Sequence, residues 1–278
     1  ELKVKMNNVV TRKIPLIFYN TSNHFQQTNT TPGFIPEGVG GFFEFMKGRV
    51  VIPSTGSLND FKHVIRHELV HVFMTNKIFR ILRDHRLPTD EMPPLWFVEG
   101  LAEHYSTNPD AQAEMVMRDA VINDYHFGIE NIWKIYGSFL MYKEGQSFLK
   151  FVEEKYGPEK IQLMLENFWM DSNFNKLMED ILGTTIEEID NQWKYYLRKK
   201  YFPLYGDRVP QNIDAIKLTK DGYNFSPVYI ESGKHRYIYY VANRTGYSSI
   251  YKLEVDENYL PIDDPQLVIT AEQTDELE

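Results

Sequence analysis

The chain has 278 residues, 42% of them hydrophobic and 14% aromatic, with a net charge of −9 and no cysteine. That length suits one or two domains, and the composition can bury a sizeable core, unlike a disordered chain. Lysine and arginine are scattered and no apolar run nears the roughly 18 residues of a membrane span, so neither nucleic-acid binding nor membrane crossing is expected. Without cysteine there are no disulfides or thiolate metal sites, and any metal must be held by His, Asp or Glu. The chain opens "ELKVKMNNVV", without initiator Met or signal peptide, and reads as a processed or trimmed piece.

Residues 1–56 read as a β-sheet subdomain. "KIPLIFY" (13–19) and "GRVVIP" (48–53) are short and rich in β-branched or aromatic residues. Between them "NTTPGFIPEGVGG" is a long Gly- and Pro-rich loop. "SLND" (57–60) is a Ser-x-x-Asp capping box before an apolar run, predicting a helix from Leu58 to about Arg83. "PPLWFVEGLAEHYS" (93–106) predicts a second helix with proline in its first turn, and "NPDAQAEMVMRDAVI" (108–122) a third. From "YGSFLMYKEGQSFLKFVEEKYG" to "TTIEEIDNQWKYYLRKKYF" the pattern stays helical, with breaks at Gly157-Pro158, near Asp171 and at Gly183. Residues 57–204 are thus expected to be a helical subdomain. In 205–278, "HRYIYYVAN" and "SSIYKLEV" alternate as short strands joined by "RTGY". Four such strands cannot bury their own face and read as one repeat of an array. The expected class is α+β: a small N-terminal mixed sheet with a mainly helical domain, then a short antiparallel β segment.

The stretch "HVIRHELVHVFM" (63–74) is mostly apolar yet carries three histidines, an arginine and a glutamate. His67 and His71 are spaced i, i+4, which sets them about 40° apart on one helix face, where two imidazoles reach one ion. Glu68 lies about 100° round from His67 and can approach an attacking water without being a ligand. "HELVH" is therefore His-Glu-x-x-His, the helix signature of zinc proteases. Burying unpaired ionisable groups costs several kcal/mol, and a bound metal removes that cost by making them ligands.

A catalytic zinc needs a third protein ligand and an open position. The extended signature with a third His fails, because Met74 and Lys77 stand at its Gly and last His positions. His63 competes, but three successive turns of one helix are poorly placed to surround one ion. His85 and His104 are further alternatives. Glu99 and Glu103, spaced i, i+4 in "WFVEGLAEH", are better placed. Glu99 would complete a His₂Glu site. Glu103 would accept a hydrogen bond from the free ring nitrogen of a ligand His, foremost His67, fixing its tautomer.

"HELVH", followed 28 residues later by the Glu of "EGLAE", resembles the gluzincin metallopeptidases, closest to those with Glu-Gly-x-Ala-x in the ligand helix. The resemblance covers roughly residues 10–200. It implies a zincin-like catalytic domain, one zinc ion per chain held by His67, His71 and Glu99, Glu68 as general base, and a peptide or protein substrate. Another divalent metal would also suit such a donor set. In related aminopeptidases a Tyr-x-x-Gly tyrosine stabilises the oxyanion, and "MYKEGQSF" places Tyr142 there, with His126 as the second choice. The same enzymes grip the substrate amine with the Glu of Gly-x-Met-Glu-Asn. "GFFEF" puts Glu44 at a similar distance from His67, with Phe at the Met and Asn positions. "GRVVIP" resembles the edge strand of the gluzincin sheet, whose backbone at Arg49, Val50 and Val51 would pair with an extended peptide.

"SPVYIESGKHRYIYYVANRTGYSSIYKLEV" resembles a TolB-type β-propeller repeat, which implies a first blade and a surface for a protein partner. The combined resemblance implies an exported or cell-envelope location. Two alternatives stand beside the zinc peptidase. One is an aminopeptidase that uses Glu44; the other is a non-catalytic zinc-binding scaffold whose propeller binds partners.

Overall fold

Contacts divide the chain into Glu1–Leu204 and Tyr205–Glu278. The structure, a computed structural model, describes residues 1–28, 31, 33, 35, 39–107, 109–204, 206, 215–220, 223–244 and 246–270. The α+β class expected from the sequence holds, with helices dominating the first unit and an antiparallel sheet the second.

The first unit opens with a helical turn α1 (Leu2–Lys5), strand β1 (Leu16–Tyr19) and the short helix α2 (Ser22–Gln26). Strands β2 (Phe42–Glu44) and β3 (Arg49–Pro53) follow. Pro15 has no N–H to give a ladder, so pairing starts at Leu16, later than the expected start at 13. The Gly- and Pro-rich loop lies partly outside the described residues. The sheet order is β1-β3-β2, with β3 parallel to β1 and antiparallel to β2. This corrects one expectation. Among the described residues β3 is the central strand: Val50 and Val51 pair with β1 on one side and β2 on the other, and Arg49 pairs with Glu44 of β2, so this backbone is not a free edge for a peptide. Among the described residues β2 is the edge on that side.

Ser57 accepts from the Asp60 N–H at 3.2 Å and caps α3 (Leu58–Asp84), as the capping box predicts. Val50 and Ile52 of β3, with Phe43 of β2, pack on Val72, Val64 and Ile65 of α3. Val51 and Phe42 face the other way, onto Phe25. Strand alternation then fixes Glu44 and Arg49, partners in register, on the face turned away from α3.

The remaining helices are α4 (Leu95–Ser106), α5 (Ala111–Ile122), α6 (Phe139–Tyr156), α7 (Pro158–Asn167), α8 (Phe174–Leu182) and α9 (Ile186–Tyr201). Pro94 is the N-cap of α4, and Asp110 caps α5, whose expected start at Asn108 lies outside the described residues. A 3₁₀ segment at Ile129–Ile135 falls where no element was expected. All three breaks are present. Gly157 ends α6 at φ 100° with Pro158 opening α7, Asp171 follows a 3₁₀ turn, and Gly183 closes α8 in the left-handed region. Ile78 of α3, Phe97 of α4, Phe148 of α6 and Trp193 of α9 meet in one fully buried core.

One contact positions everything that follows. A Cβ added at Gly100 would lie 2.7 Å from the Gly145 carbonyl carbon, and one at Gly145 would lie 2.5 Å from the Trp96 carbonyl oxygen. Helices α4 and α6 therefore touch backbone to backbone, which only glycine permits at this distance.

The second unit is a four-stranded antiparallel meander of β4 (Asn224–Ser232), β5 (His235–Ala242), β6 (Ser249–Val255) and β7 (Gln266–Ile269). Tyr240, Tyr251, Leu253 and Val255 form its buried side. The expected "RTGY" turn includes Thr245, which lies outside the described residues. Among the described residues no helix is long and apolar enough to cross a membrane.

Candidate metal centre

The long buried face of α3 holds His67 and His71 one turn apart, and α4 crosses it with Glu99. His67 Nε2 and His71 Nε2 are 3.1 Å apart. Glu99 Oε2 lies 3.4 Å from His67 Nε2 and 3.3 Å from His71 Nε2. A tetrahedral zinc with bonds of about 2.0–2.1 Å requires donor atoms about 3.3–3.4 Å apart. The three atoms therefore fit such an ion as they stand, and they suit a divalent metal with nitrogen and oxygen preference.

The same groups interact strongly with one another. Burial alone would raise the Glu99 pKa, but His67 and His71 hold it down at about 2. Burial works against a charged His71, yet the adjacent Glu99 carboxylate outweighs it and the pKa sits above the usual value.

Glu68 is only 5% exposed, and its Oε2 has no hydrogen-bond partner. Burial pushes its pKa up, against the pull of His71 and His67. A buried carboxylate oxygen without a partner among the described residues costs stability, so its place in α3 is not explained by folding. Glu68, His67, His71 and Glu99 line one cavity of ≈ 830 Å³, and Tyr142 of α6 lines it too. The Tyr142 pKa is raised by burial and by the carboxylates of Glu99, Glu103 and Glu68, which places its hydroxyl in their field. Phe42, Phe43, Phe79, Met92 and Phe139 supply apolar wall, and no lysine or arginine is among the described lining residues.

Glu103 sits one turn beyond Glu99, as the spacing requires. Its Oε1 is 3.6 Å from His67 Nδ1, too long for the hydrogen bond expected. Its Oε2 instead accepts from Lys143 Nζ at 2.9 Å and lies 3.6 Å from His63 Nε2. His63 is turned to Thr107, with Nδ1 2.9 Å from Oγ1. The other histidines are elsewhere. His85 stacks on Trp169, and His104 lies 3.3 Å from Glu153. His126 is buried with both ring nitrogens unpartnered and does not line the cavity.

Glu44 corrects a second expectation. Its carboxylate accepts from Arg49 Nε at 2.9 Å and from the Lys47 N–H, on the sheet face away from α3. It does not line the cavity and is not placed to grip a substrate amine there. Sequence reasoning missed Lys143, which reads as an ordinary exposed lysine, and the Gly100–Gly145 contact. The signal for the contact was present, since one glycine follows Glu99 and the other stands three residues after Tyr142.

Compared with known families, residues 2–199 match the one described as the Peptidase MA superfamily. No match was found among curated proteins.

Proposed function

The chain belongs to the Peptidase MA superfamily of zincin-like metallopeptidases, and from that premise we propose that it is a zinc-dependent peptidase of the gluzincin type. The observation that carries this reading is the donor triangle of His67, His71 and Glu99, with edges of 3.1–3.4 Å. Zinc bound there would act as a Lewis acid and bring a water's pKa toward neutrality.

The protein's own groups supply the rest. Glu68, which lines the same cavity and has no hydrogen-bond partner for Oε2 among the described residues, takes the proton from the attacking water and passes it to the leaving amine. Tyr142 donates a hydrogen bond to the oxygen that becomes negative. Glu103 stands behind the His67 ring, its Oε1 3.6 Å from Nδ1, and would act on the ring through its charge and not through a hydrogen bond at this distance. The apolar wall accepts apolar side chains of an extended peptide or protein substrate, and the side of β2 turned away from β3 offers backbone groups for it. With Glu44 engaged on the opposite sheet face, the aminopeptidase alternative loses its amine anchor, which favours internal cleavage. The scaffold alternative gives no reason for Glu68.

For the second unit, a four-stranded antiparallel meander is the architecture a propeller blade needs. It supports a TolB-like first blade and a surface for a protein partner. Export to the cell envelope belongs to the same proposal.

Elemental analysis of the chain and of Glu99→Ala, purified without added metal, tests the function. One zinc per chain, lost or much weakened in the variant, is expected. A wild-type chain that takes up no metal even when zinc is supplied overturns the reading.

A further inference from the structure

Lys143 follows Tyr142 on α6, and its side chain is 5% exposed. Its ammonium donates to Glu103 Oε2 at 2.9 Å and lies 4.9 Å from the centroid of the Phe139 ring. Lysine is rarely buried this deeply, and a buried ion pair seldom adds net stability over apolar side chains of the same size. The position therefore calls for a role beyond packing.

That role follows from what Glu103 faces. With Oε2 held by Lys143, Oε1 is the oxygen turned to His67 Nδ1, at 3.6 Å. His67 Nε2 is the atom that faces Glu99 and His71, so Nδ1 is the side of the ring left for orientation. The same pocket gathers three carboxylates, Glu68, Glu99 and Glu103. When all are ionised, a divalent ion balances two of them and the Lys143 ammonium balances the third. His63, His67 and Glu103 also approach one another closely enough to be considered for a second ion. However, the 3.6 Å separations are wider than a tetrahedral zinc needs, and Glu103 Oε2 is already bonded to a cation.

We propose that Lys143 is a positioning residue of the metal centre: by holding Oε2 it fixes Glu103 with Oε1 facing His67 Nδ1, and it completes the charge balance around one divalent ion. Lys143 does not line the cavity and acts through Glu103 and not on substrate. The inference rests on the zinc site proposed above.

The test uses the full chain with Lys143→Met, Lys143→Arg, Glu103→Gln and the double variant Glu103→Gln/Lys143→Met. Zinc affinity is read by competition with a chromogenic chelator, the ligand field by the absorption of the cobalt-substituted protein, and stability by melting of the metal-free chain. Lys143→Met is expected to weaken zinc about 10–100-fold, the usual loss when an outer partner of a ligand is removed, and to alter the cobalt spectrum. Lys143→Arg keeps the cation and recovers most of the affinity. The double variant binds zinc as Glu103→Gln does, because Lys143 has no other route to the metal. Zinc affinity within twofold of wild type in Lys143→Met, with only the melting temperature moved, overturns the proposal. So does a double variant weaker than Glu103→Gln. If Lys143→Met does not fold, the last comparison decides, since removing both partners leaves no unpaired buried charge. A wild-type chain that binds no zinc overturns the function itself, whereas zinc binding indifferent to Lys143 overturns only this inference.

Discussion

Replacing Gly100 by alanine tests whether the backbone contact between α4 and α6 builds the site. The new Cβ would stand 2.7 Å from the Gly145 carbonyl carbon, 2.8 Å from its Cα and 3.1 Å from its oxygen. Carbon atoms in contact prefer about 3.5–4.0 Å, so the helices must part by roughly 0.8–1.3 Å. Nothing flexible is available to yield, because the obstructing atoms are backbone. Overpacking of this kind costs about 1–3 kcal/mol, offset by about 1 kcal/mol because alanine is the better helix former. A net loss of up to about 2 kcal/mol should lower the melting temperature by up to roughly 8 °C for a domain of this size. Glu99 is the adjacent residue, so its carboxylate moves off the 3.3 and 3.4 Å separations it keeps from His71 and His67. Zinc affinity should fall about tenfold or more, within the 10–100-fold range seen when the support of a metal ligand is disturbed. Thermal melting of the metal-free protein and zinc competition with a chelator read the two effects. A variant that melts at or above wild type and binds zinc equally well would refute the reasoning.

Glu68→Gln should keep one zinc per chain while peptide hydrolysis falls at least 10²-fold, the range for loss of a general base; His67→Ala should lose both, and metal content measured beside turnover separates them. Tyr142→Phe should retain zinc and lower kcat about 10²-fold with KM little changed, as for a lost oxyanion donor; steady-state kinetics on a cleaved peptide decides it. Glu144 of α6 is fully buried, and burial raises its carboxyl to about 8, against the hydrogen bond it accepts from the Phe127 N–H. Between about pH 4.5 and 8 the unfolded chain releases this proton while the folded chain keeps it. The group therefore lowers stability as pH rises through that window, by roughly 1.4 kcal/mol per pH unit. Glu144→Gln keeps the acceptor for Phe127, so denaturant unfolding across that window should show it gaining on wild type as pH rises; a constant difference would contradict the assignment.

Much of the architecture was legible because local rules set it. Ser57 and Asp60 mark a helix start in four residues, and Gly157-Pro158 and Gly183 stop helices through backbone geometry that needs no partner. His67, Glu68 and His71 share one helix, so their relation is fixed by 3.6 residues per turn. The strand order was harder. "GRVVIP" reads identically as a central or an edge strand, because the pattern of a five-residue strand does not say how many neighbours it has. The same limit misplaced Glu44, whose face depends on its register against Arg49 and on which side of the sheet α3 packs.

The sequence by itself determined which atoms were available for a metal and how the helices begin and end, since capping, glycine breaks and i, i+4 spacing act within a few residues. Only the tertiary structure decided that Glu99 closes the triangle with His67 and His71, that Tyr142 joins their cavity, and that Lys143 is buried against Glu103. Those facts depend on α4 crossing α3 and touching α6 at Gly100 and Gly145. The distance between two helices is set by the packing of residues far apart in the chain, and no local pattern records it.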